Sequence, residues 1–455
     1  MLTIQLAAVP SQRNFYLCRP MHHFKNRLFF LVTLAFLTLI CAVHAQVEQD
    51  DPFKQDDVWS IFTRQKNKAR RDSITAMPMI LYKPYFAVTP FVGYNPAYGF
   101  LIGAGGTIGL YLGDPKTTPI SSASAIINIT TRSQKIFNLR TNVITSESRF
   151  ILRGDWRFLI FAQPTYGLGT GIKHADNGEI IFGAGTQADT SSGETQPINY
   201  NYLRIYEIFY VRIKGNFYFG LGYCLDYFTW IKDQNLNLEA TPQQLTSHYK
   251  YSTDNGFNPE KQTMSGISLE LLYDSRDHTL RPTEGYFANI AFRPNFTFLG
   301  STKNSMMLNT EFRTFLSFSK QRRDHLLGFW YIGQFTEKGK VPYLGLPAIG
   351  WDMYNRIGRG YIQGSIRGVN FIYGETEYRF PISRKTGILG GVLFVNATTA
   401  SSDDGTRKLF EYIDPAAGVG LRVMFSRKTL SNLSIDCGFG RNGSFGIYFN
   451  LNETF

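Results

Sequence analysis

From residue 98 onward, apolar and polar positions alternate with a period of two. The stretch 306–318 shows it best: Met306, Leu308, Thr310, Phe312, Leu316 and Phe318 fall on one face, and Asn309, Glu311, Arg313 and Ser317 on the other. That period belongs to a strand with one apolar and one wet face. Sixteen such runs are predicted, the first over 98–112, the fourth and fifth over 149–159 and 164–173, and the last over 443–451. Long connections at about 174–199, 230–263, 336–366 and 397–414 follow odd-numbered runs. Short polar turns follow even ones, namely Lys214-Gly215-Asn216, SKQRRD from Ser319, ISRKTG from Ile382 and SRKTLSN from Ser426. An even-stranded membrane barrel with both ends in the periplasm has this parity. The expected fold is all-β: a 16-stranded antiparallel transmembrane β-barrel over 85–455, with one extracellular loop folded inward.

The chain has one strongly apolar run, 28–43, preceded by Lys25 and Arg27 and followed by His44-Ala45. It reads as a secretory signal over 1–45, with 1–20 an upstream extension of a start at Met21. No later apolar run approaches the roughly 20 residues a spanning helix needs, so a membrane protein made from this chain is a closed barrel. Between the two lies a polar tail, 46–84, expected in the periplasm. It carries Glu48, Asp50, Asp51, Asp56 and Asp57, a basic stretch over 64–71, and an apolar patch of Val58, Trp59, Ile61 and Phe62.

Composition adjusts this picture. A mean hydropathy of −0.17 would suit a soluble protein, but 15% aromatic residues, 42 glycines and 18% charged residues suit many short strands with aromatic girdles. Loss of residues 1–45 removes Arg13, Arg19, Lys25 and Arg27 and no acids, taking the formal charge from +12 to +8. The basic residues scatter over turns and alternate strand positions, with no basic helix and no zinc spacing, which excludes a nucleic-acid partner. Cys224 and Cys437 lie in separate runs and read as packed thiols. His174, His248 and His325 are dispersed, and His278 sits in a turn among acids. No Ser, His and carboxylate share a recognisable spacing. No catalytic, cofactor-binding or metal-binding residue is nominated, and no cofactor is expected.

Two segments carry chemistry of another kind. Residues 341–381 hold a glycine-punctuated loop with Arg359-Gly360-Tyr361, then a strand with Tyr373, Glu375, Glu377 and Arg379 on one face. A guanidinium is costly in lipid and comfortable in a wet lumen, so this loop is expected to fold inward. In the last strand Ser444, Gly446, Phe449 and Leu451 stand at offsets of zero, two, five and seven, and Phe455 follows; this is similar to an outer-membrane assembly signal. Gly99, Gly103, Gly105, Gly106 and Gly109 weaken what the pattern makes the first strand: either the seam between first and last strands opens most easily there, or the glycines thin the wall where 85–97 pack inside.

In order along the chain, these motifs resemble the BamA/TamA superfamily of outer-membrane assembly barrels, the bacterial surface antigen family. Residues 273–287, YDSRDHTLRPTEGYF, resemble its Asp-x-Arg-Asp turn through Asp274, Arg276, Asp277, Pro282 and Gly285. Arg359-Gly360-Tyr361 resembles the tip of its inward loop, Glu377 and Arg379 before Pro381 the strand after it, and 417–422 with Asp436 its closing strands. The resemblance covers 85–455. It implies a barrel that assists insertion or translocation of polypeptides, with the outer-membrane bilayer, nascent outer-membrane proteins or a separate periplasmic subunit as partners; a passive channel or structural barrel is the competing implication. In the family the strand facing the loop tip usually reads Phe-x-Asp-x-Gly, whereas here it reads Phe394-Val395-Asn396-Ala397-Thr398. The carboxylate for Arg359 is then expected from Glu375 or Glu377, with the Asn396 amide as an acceptor. Residues 46–84 are too few for one periplasmic repeat domain, so the resemblance is to a barrel-only type.

Overall fold

A computed structural model of the chain describes Asp57, Val58 and residues 82–455, apart from 96–98, 115–116, 132, 172, 175–179, 182–195, 280, 319–324, 354, 384–385, 427–430 and 452. The expected signal, most of the polar tail and the core of two predicted turns, at 319–324 and 427–430, lie outside the described residues. Sixteen strands form one antiparallel sheet in chain order. They are β1 (Tyr85–Asn95), β2 (Gly99–Leu110), β3 (Ser121–Thr130), β4 (Lys135–Ile144), β5 (Phe150–Thr165), β6 (Gln196–Lys214), β7 (Phe217–Asp233), β8 (Gln262–Asp274), β9 (Gly285–Asn295), β10 (Ser305–Ser317), β11 (Leu326–Gly339), β12 (Asn370–Pro381), β13 (Leu389–Ala400), β14 (Asp414–Ser426), β15 (Ser431–Gly440) and β16 (Phe445–Leu451). Each pairs with the next. β1 and β16 come within 8 Å at Cα, but among the described residues no backbone ladder joins them.

The burial pattern is inside out relative to a soluble protein. Along β6, Tyr202 and Tyr210 are buried and Arg204 and Tyr206 share their phase, while Phe209 and Val211 in the alternate phase are exposed. Its neighbours repeat this, with Phe158 on β5 and Phe219 and Leu221 on β7 exposed, and Arg157 and Asp226 buried. Exposed aromatics around an ionic interior are the two sides of a lipid-embedded wall. One carboxylate breaks the pattern. Glu207 lies in the outward phase of β6, accepts from Trp156 Nε1 at 3.0 Å, and is opposite Gly154, where an added Cβ would sit 2.8 Å from Glu207 Oε2.

Sixteen strands and the loop parity agree with the sequence pattern, but through two errors that cancel. Residues 85–95 do not pack inside; they form β1, the true first strand, whose alternation is obscured by Pro90 and Gly93. The runs 149–159 and 164–173 are not two strands. Residues 150–165 form one strand through Pro164, which faces Pro197 near the end of its ladder. The glycine-rich strand is therefore β2, paired on both edges, and the predicted weak seam does not run along it.

The loop after β7 contains one short helix, α1 (Ser247–Asp254), capped by Thr246 Oγ1 accepting from Tyr249 N at 3.1 Å. Within it His248 is fully enclosed and bonded to Asp233 at 2.7 Å. His325 bonds the Tyr378 hydroxyl at 2.7 Å. Cys224 is buried and Cys437 half-buried, both as free thiols.

Candidate functional site

Residues 340–369 leave the end of β11 and turn back into the lumen. Glycine makes the close approach possible. At Gly360, where φ is +111°, an added Cβ would lie 2.8 Å from Ala416 Cβ and 3.0 Å from the Phe439 carbonyl carbon; at Gly438 it would lie 2.6 Å from Gly360 N. Loop and wall thus meet backbone to backbone, which a side chain at either position would prevent. The contact is then bonded. Gly360 N–H donates to the Tyr448 hydroxyl at 2.9 Å, which donates to the Tyr361 carbonyl at 3.0 Å. The Tyr361 hydroxyl donates to the Pro415 carbonyl at 2.6 Å and accepts from Arg441 N–H at 3.1 Å. Burial pushes that phenol up to about 12, so it stays a donor throughout the physiological range.

Beside this tip Arg359 is 2% exposed. Its Nη2 reaches Glu375 Oε1 at 2.7 Å and Glu377 Oε2 at 2.5 Å, and its Nη1 lies 3.0 Å from Asp436 Oδ2. The guanidinium stacks 3.7 Å from the centre of the Phe394 ring. Burial works against its charge, and Glu375, Asp436 and Glu377 outweigh burial, holding it well above the ordinary guanidinium value. Asn396 donates from Nδ2 to the Arg359 carbonyl at 2.9 Å instead of accepting from the guanidinium. The acid missing from that strand has a counterpart in Asp436 on β15.

The lattice continues toward the periplasmic end. Arg379 Nε donates to Glu377 Oε1 at 2.6 Å, and Arg422 joins Asp436 Oδ1 at 2.6 Å to Glu453 Oε2 at 2.7 Å. Asn432 donates to the other oxygen of Glu453 at 2.6 Å. Three arginines and four carboxylates are thus enclosed together, which is tolerable in a low-dielectric interior only because each charge has a partner. Glu453 and Phe455 lie past the end of β16, and Phe455 is buried 5.3 Å from the Trp330 ring centre. Its carbonyl accepts from Arg379 Nη2 at 2.9 Å, and Arg356 of the inward loop donates to the Glu453 carbonyl.

The other sequence-nominated residues fall around this lattice. In the β8–β9 turn Asp274 accepts from Arg276 Nη2 at 2.7 Å, Asp277 accepts from Thr283 N at 2.9 Å, and the Pro282 carbonyl accepts from Arg379 Nη1 at 3.4 Å. Gly285 has φ +98°, and a Cβ there would meet the Ser275 carbonyl at 2.4 Å. In β16 Gly446 pairs with Gly438, Phe449 with Ile435 and Leu451 with Leu433, while Ser444 closes the turn before it, its carbonyl accepting from Gly440 N at 2.9 Å.

Sequence reasoning passed over Glu453, Tyr448, Gly438 and a second ionic group on the far wall. There Asp226 binds Arg204 at 3.0 Å, Arg293 at 2.7 Å and the Tyr202 and Tyr206 hydroxyls at 2.5 Å. This group borders a polar chamber of about 240 Å³ that also meets Asp155, Glu270 and Asp352. Period-two alternation flagged its inward phase but nothing more specific.

A sixteen-stranded lipid-facing sheet with a loop braced inside by buried arginines defines an outer-membrane barrel with an occupied lumen. Residues 153–455 match the Omp85 superfamily domain, and the chain belongs to that superfamily of bacterial outer-membrane proteins. In structure it is similar to BamA from Haemophilus ducreyi lacking POTRA domains 1-3, at 15% identity and a TM-score of 0.50, covering 85% of this chain and 77% of that one. It is also similar to CdiB from Acinetobacter baumannii, at 12% identity and a TM-score of 0.45, covering 82% of this chain and 65% of that one. No curated protein sequence matches it.

Proposed function

We propose that this barrel assists the insertion or translocation of polypeptides at the outer membrane, with no enzymatic step, and that the Arg359 lattice holds the inward loop against the wall while it works. Membership of the Omp85 superfamily is the observation that carries this reading. The β1 and β16 edges, adjacent yet without a ladder among the described residues, support it, because an unpaired strand edge can template an added strand. Pro90 on β1 lacks an N–H and so donates no ladder bond. The signal over 1–45 and the periplasmic placement of 46–84 belong to the same reading.

Reconstitution tests it. The full chain in liposomes is expected to accelerate folding or passage of an unfolded outer-membrane protein, and Arg359→Ala to reduce that acceleration. Steady ion-selective conductance with no effect on a client would instead identify a passive channel. The loop and lattice that fill one side of the lumen count against that alternative.

A further inference from the structure

At the base of the inward loop stands Arg367, 1% exposed and among the largest fully enclosed side chains. Its Nη1 donates to the carbonyls of Tyr343, Leu344 and Leu346 at 2.9, 3.1 and 3.0 Å. Its Nε and Nη2 have no hydrogen-bond partner. Among the described residues no carboxylate pairs with it. Other enclosed arginines differ: Arg157 pairs with Asp155 at 2.7 Å, Arg293 with Asp226 at 2.7 Å and Arg422 with Asp436 at 2.6 Å.

A buried cation with one whole edge of N–H donors unspent is an unfavourable arrangement in isolation. Burial presses the Arg367 guanidinium below its ordinary value, and the groups that offset this are the phenols of Tyr343 and Tyr200. Further unpartnered polar atoms lie on the same loop and on the strand end it covers: Ser365 Oγ and both amide atoms of Gln163, whose side chain abuts Gly364.

We infer that a small monovalent inorganic anion of the halide class sits on the open Nε–Nη2 edge of Arg367 and fastens the inward loop to the extracellular end of β5. The Nε–Nη2 edge of a guanidinium is the fork that receives anions. One guanidinium without a carboxylate calls for one negative charge. Enclosure favours a small ion, since Arg367 is 1% exposed and Tyr343, Tyr200, Leu344 and Leu346 are each buried. The end of β5 is next to this residue, because Gly169 N–H, just past β5, donates to the Arg367 carbonyl at 2.8 Å.

Two measurements on the full chain decide the matter. In detergent at fixed ionic strength, replacing sodium gluconate with sodium chloride or bromide is expected to raise the unfolding temperature by several degrees along a saturating curve, as a native-state ligand does. Arg367→Gln is expected to abolish the difference. In bromide-soaked crystals of the unmodified chain, an anomalous peak is expected beside Nε and Nη2, and this arm stands even if the variant does not fold. Equal unfolding temperatures in halide and gluconate, a non-saturating rise shared by Arg367→Gln, or only water at that edge would each overturn the inference.

Discussion

Removing the guanidinium at the loop tip gives the sharpest test of the lumen lattice. Arg359→Met keeps an unbranched stem of similar length and can still lie against Phe394, so what it deletes is the charge and its donors. Arg359 faces Glu375, Glu377 and Asp436 at 2.5–3.0 Å. After its loss two arginines, Arg379 and Arg422, serve four carboxylates; Glu377 and Asp436 keep a partner at 2.6 Å, and Glu375 keeps only the Tyr373 hydroxyl at 2.6 Å and the Asn396 amide at 3.4 Å. Stranding one member of a buried pair costs about 3–5 kcal/mol, and the lost cation–π attraction to Phe394 adds about 1–2 kcal/mol. Arg359→Lys is expected to recover under half of this, because a point charge cannot meet three acids in the directions a planar fork does. The assay is urea unfolding in detergent, with folded barrel scored by electrophoretic mobility before and after boiling. A loss below about 1 kcal/mol for Arg359→Met, the level of an exposed ion pair, or Lys performing as well as Arg, would refute the reasoning that the lattice is enclosed and cooperative.

Three further outcomes are expected. Gly360→Ala forces a Cβ to 2.8 Å from Ala416 at a φ of +111°, so it should lower stability by about 1–3 kcal/mol, and limited proteolysis should cut residues 340–369 in the variant first; equal protection would count against the close approach. Burial raises the Glu453 carboxyl but Arg379 and Arg422 outweigh it, so its pKa lies below its ordinary 4.5; the stability it contributes is whole above pH 4.5 and declines as pH falls through the lowered value. Glu453→Gln should therefore narrow its gap from the unmodified chain as pH drops from 6 to 3, and a gap that widens would be the wrong sign. Glu207→Leu should leave the barrel as stable or more so, because the site already faces apolar surroundings; a loss beyond about 1 kcal/mol would make its bond to Trp156 structural.

Strand alternation is a local property, so the inward and outward phases and the parity of long and short connections were legible before any contact was known, while the total of sixteen strands came out right only because two errors cancelled. The same locality explains the errors: Pro90 and Gly93 hid β1, and Pro164 split β5, because a proline at a sheet edge or ladder end interrupts the pattern without ending the strand. The Arg359 loop and the charged face of β12 were also readable, since a buried charge is conspicuous in sequence. Which groups meet in the lumen was not. Gly360 and Tyr448 are 88 residues apart, and Arg356 reaches a carbonyl 97 residues further on. Those meetings depend on the stagger of strands around the wall and on where a tail turns after its last ladder bond, neither of which is written in a period of two. Sequence by itself determined a wall with a wet side and an oily side; tertiary structure decided that Asp436 and Glu453 balance its arginines and that Arg367 has no carboxylate beside it among the described residues, because distance across a lumen is set by the stagger of the strands and not by neighbouring residues.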